Sequence, residues 1–141
     1  MNYYNEIKNK LIDNEIYSKV KDYSKERYRV ITYFEIGKLL SEAGGKYGDS
    51  IIEEYSKKLM TEIGKKYNPQ TLRSMRQLYV MFKDDFWKPP VSKLSWSNLL
   101  VIMSLKEPEK LYYYANQSLV CNLSKRELQS KIKSQEYERL P

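Results

Sequence analysis

The chain has 141 residues, 41% apolar and 30% charged, enough to bury one core and too apolar for a disordered chain. It contains no histidine and one cysteine, Cys121. That combination excludes serine–histidine and cysteine–histidine catalysis, histidine-ligated zinc, an internal disulfide and a cysteine metal cluster. No run approaches the roughly 18–20 apolar residues of a bilayer span, and the polar start MNYYNEIKNK lacks a signal-peptide core. A cytoplasmic protein with no membrane contact is expected.

The periodicity predicts helices throughout. Over 3–22, Tyr4, Ile7, Leu11 and Ile12 recur at helical spacing, and Ile16 and Val20 continue the stripe. Over 25–42 a broad stripe of Tyr28, Ile31, Phe34, Gly37, Leu39 and Leu40 predicts the central helix, with Gly44-Gly45 as its stop. Asp49 or Ser50 is placed to cap a third helix, turning Ile51, Ile52, Tyr55, Leu59 and Ile63 inward until Gly64. Asn68-Pro69 reads as an N-cap and a first-turn proline, opening a fourth helix over 69–82. Its apolar side is Leu72, Met75, Leu78, Tyr79 and Phe82.

Residues 84–93 contain Pro89-Pro90 and read as a loop. Ser95 can cap an almost wholly apolar fifth helix, 96–106, whose Trp96 is expected to pack into the core. Pro108 opens a sixth helix, with Leu111 and Tyr112-Tyr113-Tyr114. Ser124-x-x-Glu127 is a capping-box pattern for a seventh, with Leu128 and Ile132 inward. No strand, repeat or low-complexity tract stands out. The expected fold is all-α, a single compact domain over 1–141 of six or seven helices.

Net charge is +7, unevenly spread. Within 57–76, Lys57, Lys58, Lys65, Lys66, Arg73 and Arg76 face Glu62 alone. Such an excess attracts polyanions, because neutralised phosphates release condensed counterions; a solvated, solubilising face is the plainer reading. The pair 51–63 and 69–82, joined by a short turn, has the outline of a helix-turn-helix, whose second helix enters the major groove. Opposite its apolar stripe lie Gln70, Thr71, Arg73 and Ser74, with Arg76 and Gln77 one turn on. Arginine bonds guanine bidentately and glutamine does so with adenine. Lys57, Lys58, Lys65, Lys66, Asn68 and Thr71 are placed to grip phosphates. Two packed helices and a capped turn also occur in ordinary bundles.

Other features carry less. The 14 tyrosines raise base stacking, but Tyr28, Tyr55 and Tyr79 fall on apolar stripes and read as core. Trp87 beside Pro89-Pro90 reads as either a docking knob or a pin for its own loop. Asp84-Asp85 and the string Glu6-Ile7-Lys8 lack the converging carboxylates that Mg²⁺-dependent phosphodiester chemistry requires. Cys121, among apolar residues, reads as an inert core thiol. No cofactor, metal or small-molecule substrate is implied.

An ordered set of segments resembles the N-terminal domain of YhcG-type proteins. It begins with Tyr33-Phe34-Glu35-Ile36-Gly37-Lys38, then Tyr47-Gly48 ahead of Ile51-Ile52, and Leu59. It continues through Asn68-Pro69-Gln70-Thr71-Leu72-Arg73-Ser74-Met75-Arg76-Gln77-Leu78-Tyr79 and Leu94-Ser95-Trp96-Ser97. Arg126-Glu127-Leu128 and Tyr137-Glu138-Arg139-Leu140 close the match. Two places depart from it. Asn98 stands where the family tends to have histidine, and Val120-Cys121-Asn122-Leu123 where a tryptophan often precedes the Arg-Glu-Leu helix. The resemblance implies a helical module ahead of a PD-(D/E)XK nuclease domain, which this chain does not include, and a targeting role on DNA. The expectation is a non-catalytic, helix-turn-helix-like DNA-binding module. The alternative is protein interaction: homo-oligomerisation, or a free-standing inhibitor from a mobile element, with helix 96–106 and Phe86-Trp87 as adhesive surfaces.

Overall fold

The fold, a computed structural model describing residues 1–19 and 25–141, has seven α-helices and no strand among those residues. Contacts gather into two compact units, Met1–Asp84 and Asp85–Pro141, dividing at the loop that carries Pro89-Pro90.

In the first unit α1 spans Tyr3–Ser18 and opens on Asn2, whose side chain accepts the Asn5 N–H at 3.1 Å. Ile7, Leu11 and Asn14 are buried. Ile12 and Ile16, expected inward, are exposed, because the line through 7, 11 and 14 turns them aside. Val20 lies outside the described residues.

Helix α2 spans Lys25–Tyr47 and buries nine residues, among them Val30, Ile36 and Leu40. It does not stop at Gly44-Gly45. The left-handed conformation that ends a helix is used at Gly48 (φ 92°), whose N–H reaches the Gly44 carbonyl at 2.8 Å. Helix α3 spans Ile51–Glu62 and α4 spans Pro69–Phe82. Ser50 makes no side-chain capping bond at α3, so the expected cap there is absent. The cap at α4 forms as expected: Asn68 Oδ1 accepts the Thr71 N–H at 3.0 Å, with Pro69 in the first turn.

Helices α2 and α4 form the tightest crossing. At Gly37 a Cβ would sit 2.1 Å from the Met75 carbonyl oxygen, so only glycine permits this approach. Leu72, Met75, Leu78 and Phe82 are buried on that side of α4, each contributing roughly 1.5–3 kcal/mol. Tyr67, before the cap, is wholly buried; its carbonyl accepts the Ser56 hydroxyl at 2.8 Å and its own hydroxyl donates to Glu15.

In the second unit a short 3-10 turn, Val91–Lys93, leads to α5, Trp96–Met103. Ser95 caps it through the Asn98 N–H at 3.1 Å. Helix α5 ends three residues sooner than expected, where Ser104 takes the C-cap position. Helix α6 spans Pro108–Val120 and α7 spans Lys125–Lys133, the latter closed by the Ser124–Glu127 capping box. Asn98 is a buried latch: its Nδ2 donates to Ser118 Oγ and to the Leu123 carbonyl, both at 2.8 Å. It joins α5 to α6 and to the turn before α7. Phe86 is fully buried, which removes it from any adhesive surface, whereas Trp87 is exposed. Trp96 is only half-buried. Cys121 is exposed at the end of α6, not a core thiol.

Candidate nucleic-acid interface

Helix α4 presents one edge to solvent. Gln70, Arg73 and Gln77 are exposed along it, and Val80 and Met81 continue the same edge toward the C-terminus. Ser74, expected among the groove-facing residues, is buried. It shares the inward side with Met75 and Leu78.

Between α3 and α4 runs a short ladder of opposite charges. Arg73 pairs with Glu53, and Arg76 Nη1 lies 3.3 Å from Asp49 Oδ1. One helical turn beyond Glu53 stands Lys57, exposed and without an ion-pair partner among the described residues. The ladder thus begins in neutralised rungs and ends in a free cation.

The remaining cations turn elsewhere. Lys58 sits on the side of α3 that meets α1, its ammonium 5.2 Å from the centre of the Tyr4 ring. Lys66 Nζ lies 2.6 Å from Glu15 Oε1 on α1. The Lys66 ammonium, joined by the Tyr67 hydroxyl, holds the Glu15 carboxyl below the usual carboxylate range. Lys65 is exposed in the α3–α4 turn, beside the depression that Ile12 and Ile16 line, and has no ion-pair partner among the described residues. The six cations of 57–76 therefore do not share one ridge. Arg73, Arg76 and Lys57 lie on the α3–α4 seam, Lys58 toward α1, and Lys65 and Lys66 at the turn.

Asn68 and Thr71 are engaged in the helix cap, since the Thr71 hydroxyl also lies 3.3 Å from Asn68 Oδ1. The sequence named the charged residues but not their partners. Asp49, Glu53 and Glu15 lie 27, 20 and 51 positions from Arg76, Arg73 and Lys66, and only the packing register brings them together.

A group of tyrosines lies elsewhere in the unit. Burial and the Glu62 carboxylate push the Tyr4 hydroxyl up to about 12. Tyr3, Tyr4, Tyr47 and Tyr55 gather at one open depression, with Tyr4 and Tyr55 ring centres 5.5 Å apart. Of the three tyrosines read as core, Tyr55 is buried while Tyr28 and Tyr79 are half-buried.

No helix among the described residues is long and apolar enough to cross a membrane. No curated protein and no solved structure matches the chain. The profile of the DUF1016 N-terminal domain matches residues 8–139, almost the whole length and both compact units. The chain belongs to that family, the N-terminal domain of YhcG-type proteins.

Proposed function

We propose that the chain is a non-catalytic, cytoplasmic DNA-binding module whose α3–α4 pair docks on duplex DNA. Gln70, Arg73 and Gln77 would face the groove, and Lys57 and Lys65 would meet phosphates. The observation that carries this reading is the solvent-facing polar edge of α4, set opposite a buried stripe in a helix-turn-helix outline. Membership of a family whose resemblance implies a following nuclease domain supports a targeting role. The ion pairs at Arg73 and Arg76 are compatible with it, because exposed pairs are worth only about 0.2–1 kcal/mol and a phosphate can replace the carboxylate.

The test is fluorescence anisotropy with a labelled 30-base-pair duplex at about 50 mM salt. The variant combining Lys57→Ala, Lys65→Ala and Arg73→Ala should bind at least tenfold more weakly while keeping its circular dichroism. Undetectable wild-type binding, or equal binding by the variant, would refute the proposal.

One observation favours a second reading, protein assembly. The exposed edge of α4 runs on into Val80 and Met81, apolar side chains that a partner would cover. Light scattering separates the two: a stable dimer disrupted by Val80→Asp supports assembly, and a monomer supports the DNA reading.

A further inference from the structure

The second unit carries a groove that the DNA reading does not use. It is open, about 440 Å³ in volume, and runs between the C-terminal half of α5 and one side of α7. Its floor is aliphatic. Helix α5 buries Leu99, Ile102 and Met103 but leaves Leu100 and Val101 half-covered, and Ile132 of α7 completes the strip. Its rim is cationic. Lys125, Gln129 and Lys133 follow one another at four-residue spacing along α7, so the two lysines stand about 12 Å apart along the helix. No acidic side chain lines the groove, and neither lysine has an ion-pair partner among the described residues. The neighbouring Lys131, by contrast, pairs with Glu136 at 3.2 Å.

An aliphatic floor with unneutralised lysines at both ends selects its occupant by chemistry. A nucleic-acid backbone supplies charge but leaves the floor wet. A purely apolar segment covers the floor but strips water from two unpaired ammonium groups. We infer that this groove docks an acidic amphipathic helix of a partner protein. Aliphatic side chains spaced three or four residues apart would lie on Leu100, Val101 and Ile132. Two carboxylates seven or eight residues apart would pair with Lys125 and Lys133. The site is independent of α4, so the module would hold a protein on one unit while the other engages DNA.

The test pans a displayed library of random 16-residue peptides on the full chain. The leading peptide is then synthesised and its affinity measured by fluorescence anisotropy. Enriched peptides should carry paired Asp or Glu at the stated spacing around aliphatic residues. Lys125→Glu with Lys133→Glu should weaken binding at least tenfold and Leu100→Asp comparably, with helicity retained. Lys57→Ala with Arg73→Ala should leave it unchanged, which separates this site from the proposed DNA surface. No enrichment, enrichment without acidic residues, or equal binding by the charge-reversed variant would overturn the inference. So would a charge-reversed variant that loses duplex DNA while keeping the peptide, since the groove would then be a nucleic-acid site.

Discussion

Two glycines of α2 should respond to the same substitution with opposite signs. At Gly37 an added methyl would lie 2.1 Å from the Met75 carbonyl oxygen and 2.9 Å from its carbon. These are backbone atoms of α4, so no side-chain rotation relieves the clash and the α2–α4 crossing must open. Overpacking usually costs about 1–3 kcal/mol, and an immovable backbone neighbour places Gly37→Ala at the upper end. The better helix propensity of alanine offsets roughly 1 kcal/mol of that, leaving a net loss of about 2 kcal/mol. At Gly45 nothing lies within 4 Å, so only the propensity gain remains, about 0.5–1 kcal/mol of stabilisation. Urea unfolding followed by circular dichroism reads both. With a slope of about 2 kcal/mol per molar, the midpoint should fall by about 1 M for Gly37→Ala and rise by about 0.3–0.5 M for Gly45→Ala. An unchanged or raised midpoint for Gly37→Ala would refute the close crossing.

Asn98→Ala should destabilise the second unit by about 1–3 kcal/mol, because it strands the Ser118 hydroxyl and the Leu123 carbonyl in the interior; a thermal melt unmoved by the change would count against the latch. Asn68→Ala should cost about 1 kcal/mol by removing the α4 cap, read as a lower urea midpoint, and no shift would show the cap to be idle. Burial and the Asp85 carboxylate, which accepts its hydrogen bond, push the Tyr112 hydroxyl up to about 12. The folded state therefore holds this proton more tightly than the unfolded one. The associated stability is complete below pH 10 and is lost between about 10 and 12. Absorbance at 295 nm should show tyrosine ionisation persisting toward pH 12, with one late group removed by Tyr112→Phe. Ionisation of every tyrosine near pH 10 would contradict it.

What the sequence made legible is what local chemistry decides. Asn68-Pro69, Ser95, Pro108 and Ser124…Glu127 each satisfy or forgo backbone groups within a few residues, and all four helix starts stand where those residues place them. The stop of α2 was misplaced because glycine permits a left-handed turn without demanding one. Gly44 and Gly45 stay helical and Gly48 makes the turn. Burial in α1 was misassigned at Ile12 and Ile16, since an apolar stripe wide enough for two faces does not say which face meets α2. The candidate interface was half legible. The exposed positions of Gln70, Arg73 and Gln77 follow from the stripe of α4, whereas the pairs to Asp49, Glu53 and Glu15 depend on how three helices align. Asn98 is likewise readable as a structural latch only once Ser118 and Leu123 are brought beside it.

The salt dependence of duplex binding tests the DNA reading most directly, measured side by side on the wild type and Glu53→Gln between about 50 and 200 mM. If only Lys57 and Lys65 meet phosphates, log affinity falls against log salt with a slope near −2; if the paired cations exchange partners as well, it approaches −5. Releasing Arg73 from Glu53 should tighten binding severalfold, because the guanidinium no longer has to leave a carboxylate to reach DNA. A flat salt response, or a Glu53→Gln variant that binds no better than the wild type, would contradict a role for the α3–α4 seam in holding DNA.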